Sequence, residues 1–217
     1  HTQRRRQRQM CIRDSIWGSC MVACGDADAM VTGNTRRYGQ SLQKIIKVVD
    51  PRPGEIMFGL NMVVNKGRTV FIGDTSVHEY PSSKQLAEIA ISSARVVRLF
   101  GFTPKIAFLS HSTFGQPMTS RTKHIRDAVE ILKKMKVDFK FDGDMQPDVA
   151  LNDEYKELYP LSDIVGNANV LIMPGQHSAA ISYKIMKSMS SAKVIGPLLI
   201  GLGLSLIHIS EPTRRYR

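Results

Sequence analysis

The chain has 217 residues, of which 42% are hydrophobic and 23% charged, and its formal net charge is +11. That is enough apolar material for one large or two small packed domains, and it excludes a disordered or fibrous polypeptide. The basic excess would suit a nucleic-acid surface, but its distribution argues against one: residues 1–15 carry +4, residues 204–217 carry +2, and the interior keeps only +5.

The two ends differ from the interior in pattern as well as charge. Residues 10–15 (MCIRDS) and 204–214 (LSLIHISEPTR) do not continue its periodicity and read as translated library-adapter peptides, so 1–15 and 203–217 are expected to be non-native tails. No apolar stretch follows the arginine-rich start, which therefore lacks the layout of a targeting peptide. Cys20 and Cys24 have no second Cys or His pair at ligand spacing, so reduced thiols of a cytoplasmic protein are expected, with no metal. The apolar run 194–209 is broken by Gly196, Pro197, Gly201 and Gly203, too often for a span of about 20 residues. Neither a membrane nor a nucleic acid is an expected partner.

Residues 17–24 are mixed apolar and small, and Gly25 closes them as a helix C-cap would. A short strand at 29–31 runs into a loop containing Thr35, Arg36 and Arg37, which is either an anion contact or a solvated turn. Leu42, Ile45, Ile46 and Val49 predict a helix over 38–49, and the Pro- and Gly-rich 50–54 then marks a domain boundary. Two β-rich runs, 56–64 and 69–72, flank turn residues and predict a hairpin, so the sheet should be mixed. Asp74, just after it, is either a cleft carboxylate or a loop-holding side chain.

Ser82 and Gln85 have capping-box spacing ahead of Leu86, Ile89, Ala90, Ser93 and Val97, which predicts a helix closed by Gly101. The stretch KIAFLSHSTFGQPM (105–118) then reads as a buried strand opening into hydroxyls and Gly115. A helix over 120–136 follows, then strands at 137–141 and 170–173, a helix over 179–189 and a last strand at 193–195. Alternation on this scale predicts a three-layer α/β/α fold with a mixed, mostly parallel sheet.

In such a fold the loops at the carboxyl ends of strands line a crevice, and hydroxyls or backbone N–H groups there can hold an anion. Four loops qualify: 32–36, 110–115, 142–146 and 174–178. The 110–115 loop is either one wall of such a site or a cap for the next helix. His111 and His177 are either acid–base groups or solvated surface residues, and Asp142 with Asp144 is either a carboxylate pair or a turn. No P-loop, no G-x-G-x-x-G opening a helix, no G-x-S-x-G elbow and no His pair at metal spacing is present.

The segments GDADAMVTG (25–33), QLAEIAISSARV (85–96), LSHSTFG (109–115), DGDMQPDVAL (142–151), GNANVLIMP (166–174), ISYK (181–184) and GPLLIGL (196–202) resemble the phosphate acetyltransferase and butyryltransferase family, in its order. Within it, residues 63–77, HSTFGQP and MPGQHSAAISYK look most like the acetyltransferase-like domain fused to bacterial NADP-dependent malic enzymes. The resemblance implies a phosphotransacetylase-like fold, related in architecture to isocitrate and isopropylmalate dehydrogenases. Residues 16–50 would be the end of an interrupted first domain. Residues 51–202, ending at Leu202, would be the second, through which homo-oligomers form.

It also implies that acetyl-CoA, CoA or acyl phosphate binds between the domains, with Thr35, Arg36, Ser110, Ser112 and Thr113 at motif positions and Arg37, Gln176 and Lys184 placed near them only by sequence. NADP and a divalent metal would belong to a malic enzyme domain outside these residues. In active members an aspartate takes the thiol proton of CoA while a serine and an arginine stabilise the oxyanion. Those residues lie in a motif beyond the position of Leu202, where the similar portion of this chain ends, so the catalytic residues are unassigned and the chain is expected to bind without turning over. The implied role is regulatory, with a truncated acyltransferase and a non-catalytic scaffold as alternatives.

Overall fold

The structure, a computed structural model, describes residues 14–33 and 38–203 together with the backbone of 207–209. The fold is α/β, with two compact units: residues 1–57 with 196–217, and residues 58–195. The sequence break at 50–54 therefore lies inside the first unit. So does the segment 196–202, which the sequence reading assigns to the second domain: Leu202, its last residue, is buried and forms an antiparallel bridge with Pro51, and Arg52 N–H donates to the Gly201 carbonyl (2.9 Å). These backbone partners lie about 150 residues apart in the chain, beyond the reach of any local punctuation.

In the first unit, helix α1 covers residues 14–24 and ends at Gly25, whose φ of 82° is the left-handed geometry that glycine tolerates. Strand β1 (Met30–Thr32) and helix α2 (Tyr38–Ile45) follow, the helix finishing in turns through Val49. Strand β8 (Ile207–Ile209) pairs parallel with β1, so part of the expected tail takes a place in a sheet.

The second unit holds the site. The hairpin of β2 (Phe58–Asn65) and β3 (Arg68–Gly73) is antiparallel, as its turn residues predict. Next come α3 (Ser83–Leu99), β4 (Lys105–Leu109), α4 (Ser120–Met135), β5 (Lys140–Met145), the short α5 (Pro147–Leu151), a 3-10 turn (Asp153–Lys156), β6 (Val170–Ile172) and α6 (Gln176–Met189). The strand order is β2-β3-β6-β4-β5, parallel after the hairpin.

Alternation along the strands builds the layers. Ala107 and Leu109 join Val149, Ala150, Ala179 and Tyr183 in the core beneath α5 and α6. On the opposite pleat lie Ile106 and Phe108, and α3 and α4 pack together on the sheet through faces that include Leu86, Ile89, Ile125 and Leu132. Phe58, Phe71 and Phe108 are fully buried, each contributing about 1.5–3 kcal/mol by leaving water.

Two strands depart from their sequence readings. The expected strand at 137–141 starts three residues later, because Arg98 holds Asp138 through both its carbonyl (3.1 Å) and its carboxylate (3.0 Å) in a bend. It then continues through Asp142, Gly143 and Asp144, which in sequence are either a carboxylate pair or a turn. Gly143 has φ 148°, and a Cβ there would lie 2.6 Å from the Phe108 carbonyl, so the D-G-D sequence serves close strand approach. Strand β7 (Lys193–Ile200) runs past Gly196 and Pro197, where sequence punctuation suggests a stop, because Leu198, Leu199 and Ile200 are buried and the first two pair with β8.

Candidate functional site

Strand β4 ends in Ser110, and the chain folds back on itself instead of entering α4 directly. Ser110 N–H donates to the Met145 carbonyl (2.9 Å), and Phe114 N–H to the Asp144 carbonyl (2.7 Å), which ties the loop to the end of β5. Inside the loop, Ser112 N–H donates to Ser110 Oγ (3.2 Å), the two hydroxyls lie 3.1 Å apart, and Ser112 Oγ donates to Asp144 Oδ2. Thr113 Oγ1 accepts from Gln146 N–H (3.3 Å).

The three hydroxyl residues of this loop thus have different settings. Ser112 is fully buried and committed to Asp144, and Thr113 is buried and committed to Gln146. Only Ser110, also mostly buried, lines the crevice described next. Asp144 is fully buried, with Arg126 Nε 3.9 Å from its Oδ1. The Arg126 guanidinium lies over Gly115, where a Cβ would collide with Nη1. Asp142, for which the sequence leaves open a carboxylate pair with Asp144 or a turn, lines a different groove.

At the carboxyl ends of β4 and β6 a crevice of about 700 Å³ opens within the second unit. Its walls are Ser110 and His111 after β4, residues 173–175 after β6, residues 79–81 ahead of α3, and the first turns of α4 and α6. Arg121, His111, His124 and His177 supply its cationic or protonatable groups, against one carboxylate, Glu79, which sits 3.5 Å from His177 Nε2. The amino ends of two full-length helices, where the helix dipole is positive, reach the same space. Helix α6 starts from Gly175 without a side-chain cap, and a Cβ at Gly175 would lie 2.5 Å from the Glu79 carbonyl. Arg121 and helix amino ends are groups that suit an anion.

His124 is a site residue that the sequence reading misses. Its Nε2 donates to the Pro81 carbonyl (2.7 Å), while Nδ1 lies 2.9 Å from Ser83 Oγ, so the ring clips the start of α4 to the start of α3. Arg121, also missed, sits in the exposed first turn of α4. The available signal is that Arg121 opens the helix that follows the loop and His124 lies about one turn further along it. Asp74 is the loop-holding alternative: its buried carboxylate accepts from the N–H groups of Gly59, Ser76 and His78 at 2.8 Å each and from His78 Nδ1.

Of the other expected site residues, Gln176 lies between Gly175 and His177 but is not among the crevice-lining residues, and its N–H donates to the His78 carbonyl (3.2 Å). Lys184 is exposed, with Nζ 5.7 Å from the Tyr183 ring centre, and is not among the crevice-lining residues. Leu202, the residue after which the catalytic motif is expected, is an apolar core residue of the first unit, 2% exposed, and supplies no group to the crevice. Thr35, Arg36 and Arg37 lie outside the described residues. Among those described, no cluster of three His, Cys, Asp or Glu has metal-binding geometry, and no helix is long and apolar enough to cross a membrane.

This fold defines a class. The phosphotransacetylase from Streptococcus pyogenes superposes with a TM-score of 0.83 at 28% identity, over 92% of this chain and 62% of that one. The sequence narrows it: the family described as "Phosphate acetyl/butaryl transferase" matches residues 1–213, and the chain belongs to that acyltransferase family. An NADP-dependent malic enzyme of Rhizobium meliloti is 45% identical over 190 residues, 88% of this chain and 25% of that protein. A phosphate acetyltransferase of Clostridium acetobutylicum is 33% identical over 211 residues, 92% of this chain and 63% of that protein. The chain thus spans about a quarter of the malic enzyme and under two thirds of the acetyltransferase.

Proposed function

We propose that this chain is the acyl-CoA and acyl-phosphate binding part of an NADP-dependent malic enzyme, where it senses acetyl-CoA and regulates oxidative decarboxylation of malate in the cytoplasm. The observation that carries the reading is the crevice where Ser110, Arg121, His111 and His177 meet the amino ends of α4 and α6. CoA and acyl phosphates bring phosphoryl oxygens, which charge-assisted donors and helix amino ends recognise in combination. Arg121 is assigned to a phosphate, Ser110 to a second acceptor, and Ser112 and Thr113 to holding the wall in shape. Thr35 and Arg36 remain assigned to the ligand by the motif they share with the family, and Arg37, Gln176 and Lys184 to its periphery by their place in the sequence. NADP and a divalent metal are assigned to the malic enzyme portion.

The same reading makes these residues binding rather than catalytic. The aspartate, serine and arginine that carry transfer in the family belong to a motif that follows the position of Leu202, outside the residues assigned here, and loss of one oxyanion donor alone costs about 100 to 1,000-fold in rate. The match to a phosphate acetyltransferase supports a second reading, part of a stand-alone acyltransferase. The two separate on the gene product that contains this chain. A sensor changes the rate of malate oxidation when acetyl-CoA is added and forms no acetyl-CoA from acetyl phosphate; robust acyl transfer with no malate oxidation would replace the first reading with the second. Self-association through the second unit fits the stripe of Ile181, Ile185 and Met189, 56%, 51% and 84% exposed along α6.

A further inference from the structure

On the other flank of the 110–116 loop lies a second groove of opposite character, about 810 Å³ in volume. Its aromatic wall is Phe114, Tyr155 and Tyr159, with the Phe114 and Tyr159 ring centres 5.4 Å apart. Asp142 and Asp148 line it as well. Among the described residues no cation lies within ion-pair distance of either carboxylate, although Lys156 and Lys140 nearby are each taken by another acid, at 2.7 and 2.6 Å. Residues 142–163 hold seven carboxylates against Lys156 alone, a net of −6 inside a chain of +11.

The rim is apolar and bare. Leu158 is 69% exposed and Leu161 101%, both lining the groove. Isolated exposed leucines need no explanation, but two beside an aromatic cavity extend its apolar surface beyond what a small ion would cover. Ring faces with flanking carboxylates are the environment that attracts a guanidinium or ammonium group. The field is felt within the groove: the bond from the Tyr155 hydroxyl to Asp148 Oδ2 (3.2 Å), with the charge of that carboxylate, raises the Tyr155 phenol above its ordinary value of 10.0.

We infer that this groove docks a basic, leucine-bearing polypeptide segment, with an arginine or lysine side chain entering between the aromatic wall and Asp142 and Asp148 while apolar residues cover Leu158 and Leu161. Charge complementarity selects this occupant, because the groove is acidic where the rest of the chain is basic. Thr113 and Phe114 belong to the loop whose Ser110 and His111 line the anion crevice, so the docked segment would press on the back of that crevice.

The test uses the full-length gene product and a fluorescent nine-residue peptide alternating leucine and arginine, with the same peptide carrying citrulline for arginine as control. Saturable binding is expected, weakened at least tenfold by citrulline, by D142N with D148N, and by Leu161→Ser, an exposed position whose change leaves the fold intact. Acetyl-CoA affinity, measured separately, reports on the crevice, so failure of one reading is distinguishable from failure of the other. Equal binding of the two peptides, or affinity unchanged in the variants, overturns the proposal. So does free agmatine binding as tightly as the arginine peptide, which would make this a small-cation site, or burial of Leu161 by a second copy in solution.

Discussion

Asp144 is fully buried, and only one of its carboxylate oxygens receives a hydrogen bond, from Ser112. Arg126 offers the other oxygen a charge at 3.9 Å but no hydrogen bond. Removing the Ser112 hydroxyl would leave the carboxylate nearly without donors, and an uncompensated buried acceptor costs about 1–3 kcal/mol. Ser112→Ala is therefore expected to lower stability by about that amount in urea unfolding; a loss below about 0.5 kcal/mol would show that Asp144 does not depend on this donor. The hydroxyls of the 110–115 loop are readable as a group, because an apolar run breaking into Ser, Ser and Thr is a local signal. Their division of labour is not readable, since Ser112 reaches a partner 32 residues away. His124 is hidden for the same reason: its contacts, Pro81 and Ser83, lie on another helix start.

At the scale of elements, the best-marked boundary in the sequence is also the best-formed. Ser82 accepts from Gln85 N–H at 3.2 Å and Gln85 Oε1 accepts from Ser82 N–H at 2.8 Å, closing the capping box at the head of α3. Ser82→Ala should cost about 1 kcal/mol in thermal or urea unfolding, with Ser82→Gly milder. An unchanged midpoint would mean that packing of Leu86 and Ile89 alone fixes this helix start. A second box at Thr119 and Thr122 opens α4, and it escapes sequence reading because the reciprocal partner is threonine where Glu or Gln is usual. The hairpin and α3 are legible because their signals are periodic and close in sequence. The start and course of β5 are not, because its glycine answers to the carbonyl of Phe108 in the neighbouring strand, which no local pattern reveals. The place of Leu202 is hidden in the same way, its bridge partner being Pro51.

For the whole molecule, the mixed sheet positions two cavities on the flanks of one loop, a crevice lined by Arg121 and three histidines and an acidic aromatic groove. The α/β/α class follows from alternation of elements, and the family follows from ordered short segments. Which residues face the crevice does not follow, because Arg121 and His124 become site residues only when α4 lands beside the ends of β4 and β6. The central claim is that this crevice holds the phosphate-bearing ligand of the family. Calorimetric titration of acetyl-CoA into the full-length gene product, beside its Arg121→Ala variant, tests it most directly. Saturable binding is expected, weakening about tenfold or more when Arg121 is removed, as for loss of a charge-assisted contact worth about 1.5–3 kcal/mol; absence of binding, or the same affinity in both proteins, would contradict the assignment.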